Sequence, residues 1–146
     1  IGPLLEAGVQ QILLANRTVE KAEAVAHRFG PSVQALGLEL LGQADFVQTL
    51  TRPTVIVNAT AASLEGASLE LHADLWSSAR LGVDMMYRSE PTPFMRQAQA
   101  LGVPQTVDGL GMLVEQAAEA FALWRGQRPD AQIVLSSLRA QTQSHD

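Results

Sequence analysis

Apolar positions along the chain follow two rhythms in turn: short continuous runs, and longer stretches where they recur every three or four residues. Gln11–Ala15 is a short run rich in Ile and Leu, which predicts a buried strand. Thr18 then caps a predicted helix in which Ala22, Val25, Ala26 and Phe29 recur at i, i+3, i+4 and i+7, stopped by Gly30-Pro31. Ser32–Leu36 reads as another short strand, and residues 37–50 as a partly helical connection. "TVIVNAT" (54–60) is the clearest strand pattern, β-branched and apolar up to Asn58. Residues 61–80 read as loop with one short helix near Leu75–Ala79, and "LGVDMMY" (81–87) as the next strand. A helix follows with Thr92 as cap and Pro93 at its first position, closed by Gly102, with Phe94, Ala98 and Leu101 on one face. "PQTVDG" predicts a short strand leading into a long helix, Gly111–Trp124, ended by Gly126. A last amphipathic helix covers roughly 130–141. The opening "IGPLLEAGVQ" reads as the back half of a helix closed by Gly8, as though the chain began in the middle of a longer one.

Strands alternating with helices predict βαβ units and a parallel sheet, an α/β fold. At 146 residues the chain has the length of one domain with a sizeable core. A formal charge of -5 argues against a non-specific nucleic-acid binder, which carries a basic stripe. With no cysteine there is neither a disulfide nor a thiolate nucleophile. His27, His72 and His145 fall at no metal-ligand spacing. No apolar run has membrane-spanning length and no secretory pattern opens the chain, so the expected setting is cytoplasmic, without metal, membrane or nucleic-acid partners.

In an open parallel sheet, ligands bind beyond the carboxyl ends of the strands. Those ends read Asn16-Arg17-Thr18, Asn58-Ala59-Thr60, Asp84-Met85-Met86-Tyr87 and Asp108-Gly109, each a polar or flexible break after an apolar run. Any one alone is most simply a turn or a helix cap; four on one predicted edge point to a site. Arg17 stands where an NAD enzyme places an acceptor for the ribose hydroxyls. Arginine accepts no hydrogen bond, and its planar fork matches a phosphate. Thr18 adds a hydroxyl and helix-start amides, and Lys21, one turn on, adds a second positive charge. A 2′-phosphate fits all three, which makes NADP the expected cofactor.

On the long helix, Met112, Gln116, Ala120 and Leu123 form one row, with Glu115 and Glu119 pointing elsewhere. Gln116 in that row is either a core glutamine bonded to backbone or a polar finger reaching a hydroxylated ligand. Tyr87, at a strand's carboxyl end, is by default a half-buried packing residue. Asp84 and Asp108 make no specific acid–base spacing, and Trp76 and Trp124 read as core.

With these residues in view, the sequence resembles the cofactor-binding domain of the shikimate dehydrogenases. "ANRTVEKAEAVAHRF", "VIVNATAASLEG", "DMMYRSEPTPFMRQAQALG" and "DGLGMLVEQAAEAFALWRGQRPD" are similar to that family's blocks in order and spacing, over roughly residues 1–130. The resemblance implies a Rossmann-like doubly wound parallel sheet with helices on both faces, with residues 1–146 forming one NADP-binding domain. It also implies that the first strand, its glycine-rich loop and an N-terminal substrate domain belong before Ile1, so that the catalytic lysine and aspartate lie outside this chain. Asn16, Arg17, Thr18 and Lys21 would hold the 2′-phosphate, and Asn58 and Thr60 would line the cofactor site. Met85 and Gly109 would approach the nicotinamide through backbone groups, and Tyr87 and Gln116 would touch the substrate. The implied reaction is reversible hydride transfer between NADPH and 3-dehydroshikimate, giving shikimate for aromatic amino acid biosynthesis, by a monomer or homodimer. "NATAASLEG" departs from the family, which more often has a serine and a glycine after the threonine. The alternatives are a quinate/shikimate-type dehydrogenase of other preference and a non-catalytic nucleotide-binding module. Arg17 speaks against NAD, and Tyr87 with Gln116 against a pure nucleotide binder.

Overall fold

The computed structural model describes residues 1–50, 54–61 and 69–143. The loop departure after Thr60 falls largely outside these residues. The chain divides into two compact units, Ile1–Thr51 with Glu70–Leu75 and Arg52–Leu69 with Trp76–Asp146.

In the first unit, α1 (Gly2–Glu6) leads to β1 (Ile12–Asn16), α2 (Val19–Ala26), β2 (Val33–Gly37) and α3 (Ala44–Val47), with a 3-10 turn at Leu38–Gly42. β1 and β2 pair in parallel, Ile12 opposite Val33 through Asn16 opposite Gly37, so α2 is the crossover of a βαβ unit. Its Ala22 and Ala26, one turn apart, are buried on the sheet side together with Val33, Leu36 and Val47. The helix stops at Ala26, short of the predicted Phe29, and Val25 stays at the surface.

In the second unit, β3 (Thr54–Asn58), β4 (Ala79–Asp84) and β5 (Thr106–Val107) form a parallel sheet in that order. α4 (Ala73–Ser78), which enters this unit at Trp76, precedes β4, and α5 (Pro93–Ala100) crosses from β4 to β5. Trp76 and Phe94 form the core here, with ring centroids 5.4 Å apart. α5 seats closely on β4: a Cβ at Gly82 would stand 3.3 Å from the Phe94 ring and 3.4 Å from Ala98. α6 (Leu110–Arg125) ends at Gly126, whose φ of 71° is the left-handed cap that glycine adopts freely. α7 (Ala131–Gln143) returns along it, Ala131, Leu135 and Leu138 packing on Val114 and Ala118. Exposed Arg128 ties the connecting turn back to α6, its Nε donating to Glu119 at 2.7 Å and its Nη2 to Glu115 at 2.5 Å.

Each unit has the parallel, helix-connected strands of an α/β, Rossmann-like fold, ordered β1-β2 in the first and β3-β4-β5 in the second. β1 and β3 each keep one edge without a strand partner among the described residues. Burial departs from expectation at three places. Val55 and Val57 on β3 are 54% and 47% exposed, because no described element covers that face. Trp124, expected in the core, is 78% exposed, since α6 runs a turn beyond the residues it packs on. β4 ends at Asp84, so Met85–Tyr87 are loop rather than strand, for a reason that belongs to the site. Among the described residues no helix is long and apolar enough to cross a membrane, and no group of three or more His, Asp or Glu could hold a metal ion.

Candidate functional site

Four strands end in the same way. In each, an Asn or Asp side-chain oxygen accepts the backbone N–H two residues on: Asn16 from Thr18 at 2.9 Å, Asn58 from Thr60 at 3.1 Å, Asp84 from Met86 at 3.1 Å, and Asp108 from Leu110 at 3.2 Å. Such a bond mimics a backbone turn and lifts the chain out of the sheet. The residue after each acceptor is therefore carried past the strand end: Arg17, Ala59, Met85 and Gly109. The four polar breaks legible in the sequence are turns in the structural sense; of the residues they project, Arg17, Ala59 and Met85 are exposed and Gly109 is buried.

In the second unit three of these turns are locked together. Asn58 and Asp84 are register partners on adjacent strands, and the Asn58 amide donates to the Asp84 carboxylate at 3.2 Å. Thr60 also donates its hydroxyl to Asn58 Oδ1 at 2.7 Å. On the other carboxylate oxygen, Thr92 donates its hydroxyl at 2.6 Å while accepting the N–H of Met95 at 3.2 Å, so one residue caps α5 and anchors Asp84. Asn58, Asp84 and Thr92 are at most 1% exposed. A carboxylate that deep is tolerable because donors surround it. Asn58, placed by its sequence position at the cofactor edge, thus has its side chain turned into the protein, while Thr60 stays at the surface.

Backbone bonds carry the lock to the projected residues. Met85 N–H donates to the Asn58 carbonyl at 3.0 Å, and Gly109 N–H to the Met86 carbonyl at 2.9 Å. A Cβ on Gly109 would overlap the Met85 carbonyl, so the two chains touch through main chain alone and only glycine fits. Met85 and Tyr87 are 40% and 47% exposed beside this contact. Gln116 is exposed on α6, in a row with Met112 and Leu123, while Leu110, Val114 and Ala118 face inward. It is therefore not a core glutamine. Glu115 and Glu119 point to the Arg128 side, as their spacing predicts.

The first unit presents a different kind of edge. Asn16, Arg17, Thr18 and Lys21 are all exposed. Arg17 and Lys21 make no ion pair among the described residues, leaving both cations unspent. Thr18 is the N-cap of α2 but uses no side-chain hydrogen bond to cap it. Lys21 N–H, in the first turn, donates to the Thr18 carbonyl at 3.1 Å. Two exposed cations and an exposed hydroxyl thus stand at or beside the N-terminus of α2.

Three residues make contacts here that the sequence does not show, although it marks Asp84 as a strand end and Thr92 as a helix cap. Asp84 and Thr92 form the hub just described. Arg139 on α7 grips Asp108 with two bonds, Nη2 to Oδ1 at 2.6 Å and Nη1 to Oδ2 at 3.2 Å, which raises the arginine's pKa above its ordinary value. The partners lie 8 and 31 residues away in sequence, so no local pattern announces them.

Parallel strands joined by helices, with four strand ends turned by an Asn or Asp side chain, define a Rossmann-like α/β protein. Residues 109–139 match the family described as the shikimate 5'-dehydrogenase C-terminal domain. The chain is 46% identical over 143 residues to shikimate dehydrogenase (NADP(+)) of Methylobacillus flagellatus, covering 96% of this chain and 50% of that protein. Among solved structures it is similar to an Ael1 enzyme from Pseudomonas putida, at 39% identity and a TM-score of 0.81, over 93% of this chain and 48% of that one. The shikimate 5-dehydrogenase of Thermus thermophilus in complex with NADP(H) and shikimate matches at 33% identity and a TM-score of 0.69, over 95% and 48%. The chain spans about half the length of the curated relatives it matches.

Proposed function

We propose that this chain is the NADP-binding part of an enzyme that reversibly reduces 3-dehydroshikimate to shikimate, on the route to aromatic amino acids. The observation that carries the reading is Arg17: an exposed, unpaired arginine at the end of β1, at the start of α2, in the place where an acceptor carboxylate would favour NAD. Its fork and the Lys21 ammonium offer charge-assisted bonds to a 2′-phosphate, each contributing about 1.5–3 kcal/mol when well formed. Asn16 sets the turn that aims Arg17, and Thr18 supplies a hydroxyl and amides.

In the second unit, Met85 and Gly109 offer main-chain groups to the nicotinamide end, held by the buried network beneath them. Asn58 serves through that network and Thr60 through its exposed face. Tyr87 and Gln116 touch the substrate from the cofactor side, where an amide and a phenol can bond ring hydroxyls. When bound, NADPH supplies the hydride; the chain's residues bind and orient. The identity to proteins named shikimate dehydrogenase (NADP(+)) supports the substrate as well as the cofactor. The catalytic acid–base residues are assigned to no side chain here.

The test is the full-length protein with shikimate and either NADP or NAD, following reduced cofactor by absorbance. Turnover with shikimate and NADP is expected. Preference for quinate, or for NAD, would move the assignment to a quinate/shikimate-type enzyme, and cofactor binding without turnover would make the chain a nucleotide-binding module.

A further inference from the structure

Asp108 differs from the other strand-end acceptors in being held by a charge from outside its own sheet. Its side chain is only 5% exposed, while that of Arg139 is 46% exposed. Beyond the Leu110 amide, the carboxylate takes the Arg139 guanidinium as a fork, one nitrogen on each oxygen. A bidentate pair fixes orientation as well as distance. An asparagine suffices for the turn alone, as at Asn16 and Asn58. A buried carboxylate costs desolvation that only a well-placed partner offsets, so the pair does something beyond turning the chain. What it grips is the residue before Gly109, the glycine with no room for a Cβ against Met85. Arg139 reaches it from α7, whose Ala131, Leu135 and Leu138 are already seated on α6.

We propose that Arg139 is a positioning residue for the nicotinamide-facing end of the second unit. By clamping Asp108 it sets the pitch of the turn from β5 into α6, and with it the Gly109–Met85 contact and the direction of the helix that carries Gln116. The C-terminal helix thereby tunes a site it does not itself line. This inference rests on the roles given above to Gly109, Met85 and Gln116.

Arg139→Gln in the full-length protein keeps a polar side chain but shortens it and removes the charge and the fork. A misplacement of about 1 Å costs on the order of 100-fold in rate, so a partial loosening is expected to lower kcat/KM for shikimate about tenfold. Arg139→Lys, which keeps the charge without the fork, should fall between. Asp108→Asn combined with Arg139→Gln should recover most of the loss, because neither partner is then a buried unpaired charge. Binding of adenosine 2′,5′-bisphosphate, a probe of the Arg17 edge alone, should change less than about twofold, since nothing in the first unit is touched. Amide exchange supplies a readout independent of substrate: the Gly109 N–H should exchange about tenfold faster in Arg139→Gln, with the α2 amides unchanged. If the wild type turns over no shikimate, the functional reading fails and the exchange comparison alone decides the role of Arg139. Wild-type exchange at Gly109, or a lowered Tm with kinetic constants unchanged, overturns it. Should Arg139→Gln not fold, Arg139→Lys and the double variant carry the same comparisons.

Discussion

The strand end at Asn16 and the strand ends at Asn58, Asp84 and Asp108 use one turn geometry for opposite purposes. At Asn16 the acceptor is exposed, its turn stands alone, and the residue it projects is an unspent arginine. At Asn58 and Asp84 the acceptors are buried and bonded to each other, Asp84 also to Thr92, and the Met85 and Gly109 that Asp84 and Asp108 project meet through main chain. The first edge stores unsatisfied charge at the surface, where a charged ligand can be the partner. The second spends its polar side chains internally, so that backbone groups stand at fixed positions. The same polar residues thus mark either a binding group or the scaffold beneath one, and burial decides which.

The largest effect expected from this contrast is on stability. Asp84→Ala leaves two buried donors, from Asn58 and Thr92, and the part-buried Met86 N–H without this acceptor. Each unsatisfied buried group costs about 1–3 kcal/mol, so the second unit should lose about 3 kcal/mol or more, a fall in Tm of at least about 10 °C. Asn16→Ala, at the exposed turn, should cost no more than about 1 kcal/mol. Equal losses in thermal melts of the two variants would erase the distinction. Next in size is Gly109→Ala. The added methyl forces the Met85 carbonyl away, and misplacement of that kind should lower shikimate turnover on the order of 100-fold while adenosine 2′,5′-bisphosphate binding holds. Parallel losses in both would mean that the two edges are not separable. Gln116→Ala should be milder, a rise in KM for shikimate of about tenfold from about 1–3 kcal/mol of lost hydrogen bonding, with the NADP dissociation constant unchanged. A weaker hold on NADP with KM intact would reassign Gln116 to the cofactor.

The order of strands and helices is legible in the sequence because period and punctuation are local. Thr92, Pro93 and Gly126 sit at the helix ends their chemistry predicts. Strand ends are less so: "LGVDMMY" stays apolar past Asp84, and only the three-dimensional donors around that carboxylate show that the strand stops there. Arg17 and Lys21 are readable as candidates because the role proposed for them needs only their charge and their place at a strand end. Asp84, Thr92 and Arg139 are not, because their partners are remote in sequence and their residue types are also common in caps and on surfaces. Trp124 fails for the converse reason, since a large aromatic side chain carries no sign of how far its helix extends beyond the packing beneath it.

The central claim is that Arg17 is held ready for a 2′-phosphate, and paired cofactor titrations test it most directly. Dissociation constants for NADP and NAD are measured on the full-length protein and on Arg17→Ala. Loss of a charge-assisted bond of roughly 1.5–3 kcal/mol predicts an NADP affinity lower by about 10- to 150-fold, with NAD affinity almost unchanged. The gap should narrow at high salt, because Arg17 is exposed and the interaction is screened. If both affinities fall by the same factor, Arg17 supports the fold rather than the phosphate, and the assignment of NADP to this edge is wrong.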